Sequence, residues 1–201
     1  MTYVLVRLYS GSGDLSHEEL LQTAGKELVP QVLQAGCKRY STIAFADGRV
    51  GSSSFYADRA AADHGNQIAL KWAGDVMHGY KLAQTIHGEV IYSFQGNQVA
   101  RATEGEIRLY NTTASPGDVE AALREEAQPI LAAEPDLVRY TCFKLDDGQG
   151  YAMMTAHASR VSSTQLSQKA REARQKDGSR LQRVLPQDPE VIQGTIVQSF
   201  T

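Results

Sequence analysis

A chain of 201 residues, 42% hydrophobic and 21% charged, is long enough to bury one large core or two small ones. Its formal charge of −3 at pH 7 excludes a general electrostatic hold on nucleic acid or on an anionic membrane, because such binding needs clustered excess Lys and Arg. A small ligand is the expected partner, and the basic run "QKAREARQK" from Gln168 reads as a solvated helical face.

Residues 2–10 alternate between two kinds of side chain and predict a strand. Ser16 followed by Glu19 is a capping box opening a helix, on which Leu20, Ala24, Leu28 and Val32 recur every four residues. Pro30 should kink that helix or end it early. Residues 40–46 and 51–57 form a hairpin turning at Asp47-Gly48, since Asp-Gly supplies the positive φ of a tight turn. A long helix over 58–84 and a strand ending in Phe94 complete the first half. After the stretch 95–105 the same order returns. A strand over 106–111 precedes a helix capped at Ser115-Pro116, with the stripe Val119, Leu123, Ala127 and Leu131 and a second proline, Pro129. A hairpin turning at Asp147-Gly148, a helix over 163–184 and a strand ending in Phe200 follow.

The second half is the first written again. Val6-Arg7-Leu8-Tyr9 returns 101 residues later as Ile107-Arg108-Leu109-Tyr110, Arg39-Tyr40 as Arg139-Tyr140, and "GEVIYSF" from Gly88 as "GTIVQSF" from Gly194. A period near one hundred residues is too long for a solenoid and fits two fused copies of a small domain, 1–97 and 103–201. Each copy reads βαββαβ, the ferredoxin-like order, with two helices over one face of a four-stranded antiparallel sheet. The fold class expected is therefore α+β: two tandem ferredoxin-like repeats whose bare sheet faces meet in an eight-stranded, pseudo-dimeric α/β barrel. Fusion makes that pairing intramolecular, and further homo-oligomerisation is left open.

This order, together with the "FYADRAAAD" passage from Phe55 and the "PEVIQGTIVQSF" ending from Pro189, resembles the dimeric α/β-barrel superfamily, in particular its antibiotic-biosynthesis-monooxygenase-like domains. The resemblance covers essentially the whole chain. It implies relatives that are cofactor-independent oxygenases of aromatic polyketides, haem-degrading monooxygenases, isomerases, or proteins without known activity, and a substrate site on the helix side of the sheet.

Two places could carry chemistry. Strand alternation puts Val4, Val6 and Leu8 on one face and Leu5, Arg7 and Tyr9 on the other, with Ile107 and Leu109 opposing Arg108 and Tyr110. If the apolar set faces the helices, then Arg7, Tyr9, Arg108, Tyr110, Tyr40, Tyr140 and the row Tyr151, Met153, Thr155, His157 face the other sheet. There Arg7 or Arg108 would hold an anionic or enolate oxygen, with a tyrosine or His157 moving the proton. The structural reading of the same residues is a hydrogen-bonded interface core. On the helix side, Trp72, Val76 and Tyr80 at four-residue spacing, with His78 on the same helix, would make an aromatic wall for a flat ligand or for haem; otherwise they are core. The asparagine, tryptophan and histidine combination of the haem-degrading relatives is not matched.

"SGSGD" at Ser10 lacks the lysine of a phosphate loop, and His17, His64 and His87 pair with no carboxylate at metal spacing, so no metal is expected. Cys37 and Cys142 stand apart, outside any C-x-x-C pair, and the opening residues hold neither a basic leader nor a membrane-length apolar run; a cytoplasmic protein is expected. The functional expectation is a cofactor-independent monooxygenase-like barrel that binds or oxidises a small aromatic or quinone-like molecule. The alternatives are a non-catalytic ligand-binding or structural barrel and, third, a haem-binding or haem-degrading protein.

Overall fold

The computed structural model describes residues 2–96 and 101–201. Its elements run β1 (Tyr3–Gly11), α1 (His17–Gln34), β2 (Arg39–Phe45), β3 (Val50–Tyr56), α2 (Arg59–Val76), β4 (Tyr80–Gln95), β5 (Glu104–Asn111), α3 (Pro116–Ala122), a π-helical turn (Leu123–Ala127), α4 (Gln128–Ala132), β6 (Leu137–Leu145), β7 (Gly150–His157), α5 (Arg160–Arg174), α6 (Arg180–Val184) and β8 (Glu190–Phe200). The strands form a closed antiparallel barrel in the order β1-β3-β2-β8-β5-β7-β6-β4, the α+β class the sequence leads one to expect. Of the junction expected at 95–105, residues 97–100 lie outside the described residues.

Two compact units divide the chain: Met1–Glu89 with Gly194–Thr201, and Val90–Gln193. In the first, β1 pairs with both β3 and β4, and β2 pairs with β3 and with the end of β8 from Gly194 to Phe200. In the second, β7 pairs with β5 and β6. The Asp-Gly turns form as expected, with Gly48 at φ +86 and Gly148 at φ +73. Ser16 and Glu19 close a full capping box on α1, and Ser115 caps α3 by accepting from the Asp118 N–H.

Three local expectations are corrected. Helix α1 runs through Pro30 to Gln34, because Pro30 and Lys26, whose carbonyl the proline leaves without a donor, both face solvent. In the second half the corresponding strain is taken up by a wider π turn just before Pro129. Helix α2 stops at Val76 rather than continuing to residue 84, since Gly79 adopts φ +87 and Tyr80 already pairs with Gly11. In place of one helix over 163–184, α5 and α6 are separated by a turn at Gly178, φ +77.

Candidate functional site

Each unit carries a hollow between its sheet and its helices, and corresponding strands supply the walls. In the first unit Arg7 and Tyr9 of β1, Tyr40 and Thr42 of β2 and Ser52 of β3 face Leu20, Leu28 and Trp72 of the helices around a cavity of about 30 Å³. In the second, Arg108 and Tyr110 of β5, Tyr140 of β6 and Met153 of β7 face Leu123, Leu131, Leu166 and Leu181 around one of about 50 Å³.

This reverses the expected sidedness of the sheets. Tyr3, Leu5 and Tyr9 join the core formed with α1 and α2, whereas Val4, Val6 and Leu8 lie on the opposite face, all fully buried. Closure explains the reversal. The face turned away from the helices takes Val4, Val6 and Leu8, each fully buried side chain contributing about 1.5–3 kcal/mol. The helix-covered face keeps the arginines and tyrosines, which places Arg7, Tyr9, Tyr40 and Trp72 in one hollow instead of two separate sites.

The second hollow adjoins an open cleft of about 570 Å³, and the two share Glu106, Arg108, Tyr110, Ala170 and Arg174. Arg108 Nε lies 2.5 Å from Glu106 Oε1, a close ion pair without hydrogen-bond alignment. Glu106 also accepts from Gln193 Nε2 at 2.6 Å and from Ser167 Oγ at 3.1 Å. Burial pushes the Tyr110 pKa up against the opposing charge of Arg108, so its hydroxyl stays protonated and available as a donor. Arg174, in the run read as a solvated face, is buried instead: it donates to the Leu185 and Gln187 carbonyls and pairs with Asp188, tying the approach to β8 against α5. Tyr140 donates to Met153 Sδ at 2.8 Å, and burial raises its pKa well above the usual phenol value.

Arg7, the counterpart of Arg108, is only 1% exposed, and its Nε and Nη2 have no hydrogen-bond partner. Leu5 stands where the second half has Glu106. Register places Thr85, Arg7, Ser52 and Thr42 in one row across β4, β1, β3 and β2, and the corresponding row of the second unit reads Arg108, Met153, Cys142.

Of the remaining sequence candidates, only Trp72 shares a hollow with the arginine and tyrosine rows. Trp72 lines the small hollow and donates its indole N–H to Glu27 at 3.1 Å. Tyr80 opens β4 and tilts against His17, and His78 is exposed in the turn after α2, so neither continues a helical stripe from Trp72. His157 is fully buried at the end of β7, outside the lining of either hollow. Its Nδ1 lies 3.2 Å from Ser162 Oγ, which donates to Glu134 Oε1 at 2.6 Å; Lys169 pairs with the other oxygen at 3.1 Å. With that hydroxyl proton given to Glu134, the imidazole is the Nδ1–H tautomer, and its buried Nε2 has no partner. Burial holds its pKa below 6.5.

Sequence reading passed over Glu106, Ser167, Arg174 and Gln193. Glu106 had a signal: it is an acid in a strand whose other copy has leucine at that position. Among the described residues no group of three or more His, Cys, Asp or Glu side chains is placed to hold a metal ion, and no helix is long and apolar enough to cross a membrane.

No protein-family model matches the chain, and no curated protein sequence matches it. Solved structures do. A Lactobacillus acidophilus protein described as a monooxygenase by assignment superposes with a TM-score of 0.67 at 9% identity, covering 100% of this chain and 96% of that one. An anthrone oxidase-like protein superposes at 0.61 with 11% identity, over 99% and 92% of the two chains. A mutant chlorite dismutase from Candidatus Nitrospira defluvii, in complex with cyanide, gives 0.65 at 12% identity over 97% and 90%. At these identities the likeness is one of fold, the dimeric α+β barrel.

Proposed function

We infer that the cleft of the second unit binds a small aromatic molecule carrying an ionisable hydroxyl or enol and supports its oxygenation without a cofactor. One observation carries this reading: an opening of about 570 Å³ meets an apolar hollow along the polar edge Glu106, Arg108 and Tyr110. Ligand sites have that construction, roughly 300–1,000 Å³ with apolar walls and a few convergent polar groups. The fold shared with monooxygenase-named and anthrone oxidase-like proteins supports it.

In this mechanism the ring lies in the cleft against Ala170, Pro189 and Val191. Glu106 accepts the substrate proton, while the Tyr110 hydroxyl and the Arg108 charge stabilise the resulting anion. The anion passes electrons to dioxygen. At an activated CH2, one oxygen atom ends in a carbonyl and the other leaves as water, so no external reductant is consumed. Trp72 has no stacking role here, because its hollow of about 30 Å³ is far below the roughly 150 Å³ that accepts benzene. The residues do not fit haem either: no histidine lines either hollow or the cleft.

The Glu106–Arg108 pair favours a second reading, binding without turnover, because the arginine already has a counter-charge. Anthrone separates the two. Native mass spectrometry should show one anthrone retained, with affinity at least tenfold weaker in Arg108→Gln and Tyr110→Phe, and an oxygen electrode should record uptake only with the wild type. Retention without oxygen uptake supports simple binding; no retention at all overturns both.

A further inference from the structure

We propose that the hollow of the first unit is a binding site for one small monovalent anion, of the size of chloride, held by Arg7 and the hydroxyls of Ser52 and Thr42. This goes beyond the aromatic site and does not depend on it.

A buried arginine needs a counter-charge, because an ion removed from water without one costs several kcal/mol. Arg108 obtains its counter-charge from Glu106. Arg7 is buried more deeply, Leu5 occupies the acid's position, and among the described residues no carboxylate oxygen lies within ion-pair distance of it. Neighbouring acids do not substitute. Burial pushes the phenol of Tyr56 up to about 12 and raises Tyr9, Tyr40 and the Cys37 thiol, so all four stay neutral at neutral pH. The Tyr56 hydroxyl lies beside Arg7 as a neutral group and supplies no counter-charge.

The donors are already collected. Arg7 lines the cavity together with Ser52 and Thr42, and its Nε and Nη2, like Thr42 Oγ1, are buried without a partner. Ser52 and Thr42 follow Arg7 directly along the sheet row, where the second unit has Met153 and Cys142. Hydroxyls flank the uncompensated arginine, and sulfur side chains flank the compensated one. Size selects the ligand: about 30 Å³ is close to the share of liquid that one water takes, which suits a one-atom ion such as a halide and is too little for a phosphate ester or a ring. Water could satisfy these donors, but it would leave the charge uncompensated.

The test is a thermal melt at constant ionic strength in which sodium chloride or bromide replaces sodium gluconate, an anion too bulky for the hollow. The wild type should gain an increase of roughly 5–10 °C by the point where chloride reaches 100 times its dissociation constant. Arg7→Met should melt at the same temperature in both salts, and Leu5→Glu, which supplies an internal carboxylate, should lose the chloride response. Should either variant fail to fold, crystals of the wild type grown in bromide decide the question through an anomalous peak within hydrogen-bonding distance of Arg7. Equal wild-type melting in both salts, a chloride response that persists in Arg7→Met, or an empty hollow in bromide would overturn the proposal. Anthrone retention by the second unit is unaffected in every case, so the two readings fail separately.

Discussion

Arg7 and Arg108 occupy the same place in the two halves, each on the first strand of its unit beneath a helix layer, yet their surroundings are opposite. Arg108 sits beside Glu106 at the edge of an open cleft, and its side chain keeps 15% exposure. Arg7 is 1% exposed and lines a small hollow with hydroxyls around it and leucine in place of the acid. Sequence likeness between two copies thus preserves the strand and its facing, while two or three substitutions decide the electrostatics. Exchanging Leu for Glu, and Ser and Thr for Met and Cys, turns a site that lacks a negative charge into one whose charge is balanced and whose walls are apolar.

The largest effect should come from erasing that difference. Glu106→Leu gives the second half the environment of the first without its hydroxyls. It leaves Arg108 near the apolar hollow without its acid and strips Gln193 of its acceptor, while Ser167 keeps the Ser163 carbonyl; a loss of about 3 kcal/mol in urea unfolding is expected. A wild-type midpoint for this variant would mean that solvent, not Glu106, compensates Arg108. Next in size is Arg174→Met, which frees the carbonyls of Leu185 and Gln187 at the end of α6. It should cost about 2 kcal/mol and weaken anthrone retention, because the segment that walls the cleft loses its tie. Trp72→Phe removes the hydrogen bond to Glu27 and part of a buried ring and should cost about 1–2 kcal/mol, with anthrone retention unchanged. Loss of anthrone in that variant would return the ligand to the first half.

The smallest expected effect concerns His157. Its folded pKa is depressed below 6.5 by burial, so the unfolded chain binds more protons as the pH falls. Stability should therefore be highest above about pH 6.5 and decline as the pH drops toward the folded value, and His157→Gln should flatten that decline. An unchanged slope would show that His157 does not set the acid sensitivity.

Much of the fold could be read from local chemistry. Asp47-Gly48 and Asp147-Gly148 announce their hairpins, Ser16 and Ser115 announce their helices, and the recurrence of the Val6–Tyr9 tetrad at Ile107 announces the second βαββαβ run. The side that each row faces could not be read that way. Alternation separates Val4, Val6 and Leu8 from Leu5, Arg7 and Tyr9, but only closure of the barrel decides which set is enclosed. Tyr80 looked helical because four-residue spacing continues past Val76, and only the left-handed Gly79 breaks it. Compensation of Arg108 by Glu106 was hidden for another reason: charge pairing is a property of packed neighbours, and single-residue patterns do not show it.

The most direct test of the contrast between the halves uses methionine methyl groups as reporters. Met77 lines the hollow of the first unit and Met153 that of the second. In a methyl-labelled methionine NMR spectrum, the account predicts that chloride moves the Met77 signal and leaves Met153 in place, while anthrone moves Met153 and leaves Met77 in place. Both ligands moving the same methyl, or anthrone moving Met77 alone, would contradict it.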